Sequence, residues 1–379
     1  MGRPTTIIRS APPHFPTMLP HHAAPLRCPT TLPYHAALQH FFTTLFICIA
    51  LNALPKTILR RSHGGFLTTE PAMPHSRRTN KSIERRMQSI NTLLKKLAKL
   101  HIKHIKNARI INHSSVTLGD LRSHYSSKHK ELPEELLKGT DTFERIECDS
   151  SRRLYIYGKD GGLIACRVPL NDQGILNTLT ESLRELPDRT NHKFRGIDRG
   201  DYSTRHYCIW CPYSLVPFVS KELQEDAEAG LEFLKKNTKL WNKMSNVLGQ
   251  ISPSSYKRFM RYPLPKGLPR FCTAWAGCVV NLGRDDPVQT KPHRDVKESI
   301  FGFSCVVPAG DYKGGALILY DLKMVIELAP GDMFFFPDSL IHHANEATFG
   351  NRSSIVAFTQ ENLFDYWKRK YNYVNNKAK

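Results

Sequence analysis

Acid is what the first part of this chain goes without. Glu70 is the single Asp or Glu among its first 74 residues, which are rich in Pro, Thr, His and Ala. No helical or strand period is sustained there, so residues 1–75 are expected to be low-complexity and mostly disordered. Long apolar runs are missing too. The best, FFTTLFICIALNAL (Phe41–Leu54), falls short of the roughly 20 residues a membrane-crossing helix needs, and about 40 residues precede it, too many for a secretory signal. Stable membrane insertion is therefore not expected, and an anchor through residues 41–54 is the minor alternative. Cysteine lacks the rhythm of a disulfide scaffold: nine are scattered along the chain, an odd number that suits a reducing compartment. Cys208 and Cys211 form one C-x-x-C with His206 close by. No second pair completes the four ligands of a structural zinc site, so ordinary buried thiols are expected.

What the chain does have is concentrated positive charge. Of a formal +20, a net +12 lies between Arg77 and Lys130, where fourteen Lys and Arg stand against Glu84 and Asp120. Within it Ile83, Met87, Ile90, Leu94 and Leu97 recur at helical spacing, with basic residues filling the other faces. Such a helix fits a polyanion, an anionic membrane, or a solvated surface over a packed stripe. Residues 76–139 are read as a basic helical region, and for the whole chain a polyanionic partner is the electrostatic expectation.

From about Thr142 the pattern turns globular. RLYIYG and LIACRVP, joined by KDGG, predict a β-hairpin. Leu223, Ala227, Leu231, Leu234, Leu240, Trp241, Met244 and Val247 predict one helix over Ser220–Gly249, with Ser220 as its N-cap. After a Pro-rich connector come short strands, FCTAWAGCVVNL, SIFGFSCVV, GALILYD, VIELAP, DMFFFP and SSIVAFT, separated by tight turns. Regular short strands with no intervening helix indicate a barrel or jelly roll.

One stretch among them, QTKPHRDVKESIFGF, contains the letters H-R-D. Protein kinases use H-R-D-L-x-x-x-N, but the fifth residue after Asp295 is Ile300, no D-F-G follows, and no Gly-rich loop or V-A-I-K-like strand precedes it. Phosphoryl transfer by this route is excluded. On an extended strand residues two apart share a face, so His293 and Asp295 can present an imidazole and a carboxylate to one metal ion. A facial triad needs a second His, and LIHHAN offers His342 and His343. Nine residues past His343 stands Arg352. Its guanidinium fork suits a carboxylate, and the Ser354 hydroxyl falls on the same strand face.

In this order, H-R-D, GGALILYD, PGD-x-x-F-F, H-x-N and R-S-S, the residues between about Arg270 and Phe364 resemble the 2-oxoglutarate- and Fe(II)-dependent dioxygenases, and among them the TET/JBP-like branch with its transposon-associated fungal members. The resemblance implies an α+β chain: a C-terminal double-stranded β-helix (jelly roll) with supporting helices, dioxygenase domain 140–379 and metal-binding core 270–364. It implies Fe(II) on His293, Asp295 and His343, with His342 facing away. 2-Oxoglutarate would pair with Arg352 and Ser354, with O2 as co-substrate. The implied reaction is oxidation of a methylated base such as 5-methylcytosine, flipped out of nucleic acid, DNA in the first instance, in the nucleus. Three residues past the metal Asp, where TET members carry a base-contacting Asn, this chain has Glu298, a candidate for substrate contact or a plain surface charge. Hydroxylation of a protein side chain such as proline, and a catalytically silent nucleic-acid-binding module of mobile-element origin, are the alternatives. Oligomeric state has no signature in the sequence.

Overall fold

Glycines set the shape of this chain at one place, where a long β-ribbon is creased and the two sheets of a barrel are joined. The computed structural model describes residues 76–376 except residue 114 and segments 126–131, 191–201, 212–215, 262–263, 265–267 and 284–288. Both the low-complexity stretch 1–75 and the apolar run 41–54 lie outside the described residues.

In chain order the first elements are α1 (Ser76–Ile105), β1 (Arg109–Asn112), α2 (Leu118–Ser123), α3 (Glu134–Lys138), β2 (Glu144–Ile146), β3 (Leu154–Tyr157), β4 (Leu163–Pro169) and α4 (Gln173–Glu185). Next come β5 (Ser203–Trp210), β6 (Phe218–Val219), α5 (Lys221–Glu225), α6 (Ala227–Lys236), α7 (Thr238–Ile251), α8 (Pro253–Arg261) and β7 (Gly277–Leu282). The C-terminal part holds β8 (Ser304–Gly314), β9 (Leu317–Leu319), β10 (Met324–Ile326), β11 (Asp332–Phe336), β12 (His343–Asn345), β13 (Thr348–Phe358) and α9 (Glu361–Asn376). A nine-stranded sheet has the order β1-β3-β4-β11-β8-β13-β7-β5-β6, and a four-stranded sheet the order β12-β9-β10-β2. Pairing is antiparallel except for β1 on β3 and β2 on β10.

Alternation along the strands makes the core. Leu317 and Leu319 of β9 and Met324 and Ile326 of β10 meet Leu154, Ile156, Phe334 and Phe336 of the larger sheet in one buried cluster between the sheets. The intervening residues Ile318, Tyr320, Val325 and Ala344 point outward, where Phe143, Leu132 and Leu136 cover them. PGDMFFFP behaves as the sequence suggests: all of Asp332–Phe336 is buried, and each interior Phe contributes about 1.5–3 kcal/mol of burial.

β8 and β13 pair in unbroken register from Cys305↔Ala357 to Gly314↔Thr348, and the same register resumes in the other sheet from Leu317↔Asn345 to Leu319↔His343. The crease between them is bridged by Gly315 N–H to the Ala347 carbonyl and Glu346 N–H to the Ala316 carbonyl. Gly314 and Gly315 take φ of 74° and 68° there, which a side chain resists. Because the crease breaks the alternation, odd residues of β12 and even residues of β13 both face the interior. His343, Asn345, Arg352 and Ser354 thus share one face of the ribbon.

Helices cover the other side. The stripe Ile90, Leu94 and Leu97 of α1 is buried, and α1 packs on α7 and α8. Gly249 permits that approach, since a Cβ there would fall 2.5 Å from Leu97 Cδ1. The single helix expected over Ser220–Gly249 is instead three, α5, α6 and α7. Asp226 and Asn237 sit at the breaks. The Asp226 carboxylate engages Arg205 and the Tyr207 hydroxyl, and Asn237 donates to Ser182 Oγ, tertiary bonds that a continuous helix would forgo; Asn237 also donates locally to the Phe233 carbonyl. Ser220 likewise makes no N-cap bond. Its hydroxyl donates to the His206 carbonyl and accepts from Cys208 N–H, tying the helix start to β5. Among the described residues no helix is long and apolar enough to cross a membrane.

Candidate metal centre

Backbone bonds bring the first two candidate ligands together. His293 N–H donates to the His343 carbonyl at 3.0 Å and His343 N–H to the His293 carbonyl at 2.8 Å, an isolated antiparallel bridge. Each Nδ1 is held by a carbonyl two residues back, Lys291 at 2.7 Å and Ile341 at 2.9 Å. With Nδ1 donating, the Nε2 lone pair of each ring is the one available to a metal. His343 Nε2 lies 3.8 Å from Asp295 Oδ2, and one donor atom from each of His293, Asp295 and His343 lies within 4.8 Å of the others. The edge of the Phe336 ring contacts the buried His343, at 5.0 Å between centroids and 88° between planes. Two neutral imidazoles and one carboxylate, with positions left open, form the donor set of a facial triad for a divalent ion such as Fe(II).

The H-x-D segment is not the regular strand that the sequence suggested. Only His293 bridges; Asp295 N–H donates to the Asp338 carbonyl, and the chain turns at once, with Glu298 N–H returning to the Asp295 carbonyl at 2.8 Å. Residues from elsewhere hold the turn: Tyr125 donates its hydroxyl to the Val296 carbonyl at 2.6 Å and Arg122 Nε donates to the Ile300 carbonyl at 3.0 Å. Arg294, between the two ligands, is buried with its guanidinium 5.9 Å from the centre of the Tyr125 ring.

Glu298 is half-buried. Its backbone bridges Gln360, and its carboxylate adds to the burial that pushes the Cys208 thiol far up. His342 faces away from the triad, as the alternation requires, and its N–H and Nδ1 both engage Asp321, at 2.5 and 3.1 Å. Cys208 and Cys211 are buried thiols outside any disulfide, and among the described residues the triad is the one three-residue group placed to hold a metal.

On the same ribbon, Arg352 pairs with Gly310 and lies beside Tyr312, with 5.4 Å from its guanidinium carbon to the ring centre. Gly315 makes room for it: a Cβ there would lie 3.3 Å from Arg352 Cδ and 3.4 Å from Nε. Burial lowers the Arg352 pKa, and the Tyr312 hydroxyl, hydrogen-bonded to it, opposes that shift. Burial also pushes Tyr312 up to about 12, with Arg352 pulling the other way. The buried Arg352 Nε has no hydrogen-bond partner. A guanidinium still charged, desolvated and short of an acceptor fits the distal carboxylate of a bound dicarboxylate such as 2-oxoglutarate. Ser354, two residues on, is buried and accepts from Asn281 Nδ2 at 3.3 Å. Asn345 ties the two halves, donating from Nδ2 to the Gly315 carbonyl at 3.0 Å while its own N–H meets Thr290 Oγ1. Tyr312 and Tyr125 carried no sequence signal, since neither belongs to a motif and each acts through a partner distant along the chain.

No protein-family profile and no curated protein sequence matches the chain. Among solved structures, one described as NgTET1 in complex with 5mC DNA is similar over 72% of this chain and 91% of its own, at 14% identity and a TM-score of 0.50. A 2OG-Fe(II) oxygenase family oxidoreductase from Burkholderia pseudomallei is similar over 66% of this chain and 94% of its own, at 13% identity. Its TM-score of 0.33 is too loose to carry an argument. At such identity the likeness is one of fold: this chain has the α+β, double-stranded β-helix architecture of the TET structure.

Proposed function

We propose that the chain is an Fe(II)- and 2-oxoglutarate-dependent oxygenase that oxidises a methylated nucleobase, of the 5-methylcytosine kind, in nucleic acid, and that it acts in the nucleus. The observation carrying this reading is that one creased ribbon supplies both His343 of the three-residue donor set and Arg352 with its unpartnered Nε. A metal-binding group alone fits many chemistries; a metal-binding group beside a desolvated guanidinium fits a metal with a dicarboxylate co-substrate. The nucleic-acid part of the reading is supported by the fold likeness to a protein solved with 5mC DNA and by the charge of +20.

The roles of the residues follow from their placement. His293, Asp295 and His343 would hold Fe(II), the carbonyls of Lys291 and Ile341 fixing the imidazole tautomers. Arg352 and Ser354 would orient 2-oxoglutarate, and the Phe336 ring packs against His343 and keeps water from that side. When bound, Fe(II) would bring O2 and 2-oxoglutarate together: O2 would be the oxidant, decarboxylation of 2-oxoglutarate to succinate and CO2 would supply two of the electrons it takes up, and one oxygen atom would go to succinate and the other to the methyl group. Glu298 is proposed as a base-contacting carboxylate, able to accept from the exocyclic amine of cytosine or adenine.

The test is incubation of purified protein with Fe(II), 2-oxoglutarate and a duplex bearing 5-methylcytosine, read by mass spectrometry of the nucleosides. 5-Hydroxymethylcytosine together with succinate is the expected product pair. Succinate without any oxidised base would leave an oxygenase of another substrate, and neither product would sink the reading.

A further inference from the structure

We propose that the outward face of α1 is a docking surface for the phosphate backbone of double-stranded nucleic acid. This rests on the nucleic-acid part of the proposed function and extends it to a surface that the metal centre does not use.

The helix reads SRRTNKSIERRMQSINTLLKKLAKLHIKHI, with nine Lys and Arg against Glu84 alone. Its buried stripe, Ile90, Leu94 and Leu97, fixes its rotation on α7 and α8. At 100° per residue, the side opposite that stripe carries Lys81, Arg85, Lys96, Lys99 and Lys103, with Gln88, Ser89 and Thr92 between them, all exposed. No acid and no apolar residue interrupts this line. From Lys81 to Lys103 it spans about 33 Å at 1.5 Å per residue, close to one turn of duplex DNA.

Several basic residues elsewhere are met by acids: Arg145 by Glu327 and Glu346, Lys236 by Glu185 and Glu232, Arg258 by Glu361. None of the five basic residues on the outer face of α1 has an ion-pair partner among the described residues. A row of unneutralised cations with interleaved hydrogen-bond donors, rigidly presented, suits phosphates. An anionic membrane is the poorer fit, because the stripe that would enter the lipid is already buried in the protein.

The experiment uses the full chain loaded with Fe(II), an unmethylated 30-base-pair duplex followed by fluorescence anisotropy, and a salt series. In Lys96→Gln/Lys99→Gln/Lys103→Gln the slope of log K against log salt should fall by about 2–3, near 0.9 for each phosphate that is no longer neutralised. A control removes equal charge elsewhere through Lys138→Gln/Lys221→Gln/Lys368→Gln, exposed lysines each paired with an acid, and should leave the slope within about 0.5. Succinate formation without nucleic acid should be unchanged in both triple variants, which confirms an intact fold and metal centre. An unchanged slope in the α1 variant, an equal fall in the control, or a loss confined to phosphatidylserine vesicles would each overturn the proposal. Duplex binding that depends on these lysines in a protein that oxidises no methylated base would keep the docking surface and remove the substrate reading. Base oxidation with an unaltered slope would do the reverse.

Discussion

The two arms of the metal centre are held by different means. His343 and Arg352 belong to one antiparallel ribbon whose register runs unbroken through the crease at Gly314 and Gly315, so each is fixed by a ladder of backbone bonds. His293, Asp295 and Glu298 belong to an irregular segment that is tied to the ribbon by the His293–His343 bridge and beyond it is held at single points, by Tyr125, Arg122, Asp338 and Thr359. The ribbon resists the loss of any one bond because its neighbours carry the geometry. The segment depends on each of its anchors. That contrast puts the fixed donor and the co-substrate arginine on the rigid side, and the ligands that lead towards Glu298 on the side that can adjust.

Removing a ligand should matter most on either arm. His343→Ala and His293→Ala should each reduce Fe(II)-dependent succinate formation by at least about 100-fold, more than the 10–100-fold typical of supporting residues. Turnover that survives His343→Ala would refute the metal assignment. Next in size comes a change confined to the ribbon: Arg352→Lys keeps the charge but loses the fork. It should raise KM for 2-oxoglutarate by about 10–100-fold while Fe(II) affinity, measured by titration, holds within about threefold. An equal loss of both would mean that Arg352 supports the fold rather than the co-substrate.

How legible each arm was in the sequence follows the same division. β11 and β13 were readable from DMFFFP and SSIVAFT because a buried strand needs only local apolar residues and flanking turns, whereas SIFGFSCVV located only the start of β8: the strand begins at Ser304 and runs on through Ala309–Gly314, where Gly and Asp suggest a turn. That Arg352 and Ser354 share a face followed from i, i+2 alternation on β13, but which face is interior did not. The H-x-D spacing was readable as two ligands, yet the regular strand assigned to it was wrong, since the turn after Asp295 is imposed by contacts more than 150 residues away along the chain. The long helix over Ser220–Gly249 failed for the same reason: apolar periodicity runs through Asp226 and Asn237, and only their tertiary partners reveal the breaks. The parity change at the crease could not be read at all, because it arises from two positive-φ glycines whose effect on facing appears only when both strands are paired.

A single anchor of the irregular arm offers a smaller effect. Tyr125→Phe removes the hydroxyl bond to the Val296 carbonyl while keeping the ring beside Arg294. The expected cost is about 0.5–1.5 kcal/mol, read as a fall of roughly 2–4 °C in Tm. Fe(II) affinity should drop by about 10-fold or less, through Asp295. Removing one hydroxyl bond to the ribbon, as in Ser354→Ala, should change Fe(II) affinity less than this. A larger drop there would erase the distinction between a laddered and a pinned arm.

The smallest effect is expected one residue from the largest. His342 and His343 are adjacent, so their side chains leave the chain on opposite faces. His343 enters the interior beside Phe336, while His342 binds Asp321 on the other side. His342→Gln retains a polar side chain next to Asp321, in a partly exposed pair that contributes about 1 kcal/mol or less. Fe(II) affinity and succinate formation should therefore stay within about threefold of the parent, against the 100-fold loss at His343. Electron paramagnetic resonance of the ferrous-nitrosyl form reports the donor set directly and should be unaltered by His342→Gln but abolished by His343→Ala. The opposite outcome would mean that β12 is rotated by one residue, which would turn Asn345 outward with it. Its bond to the Gly315 carbonyl, and with it the link between the metal ligands and Arg352, could not then exist.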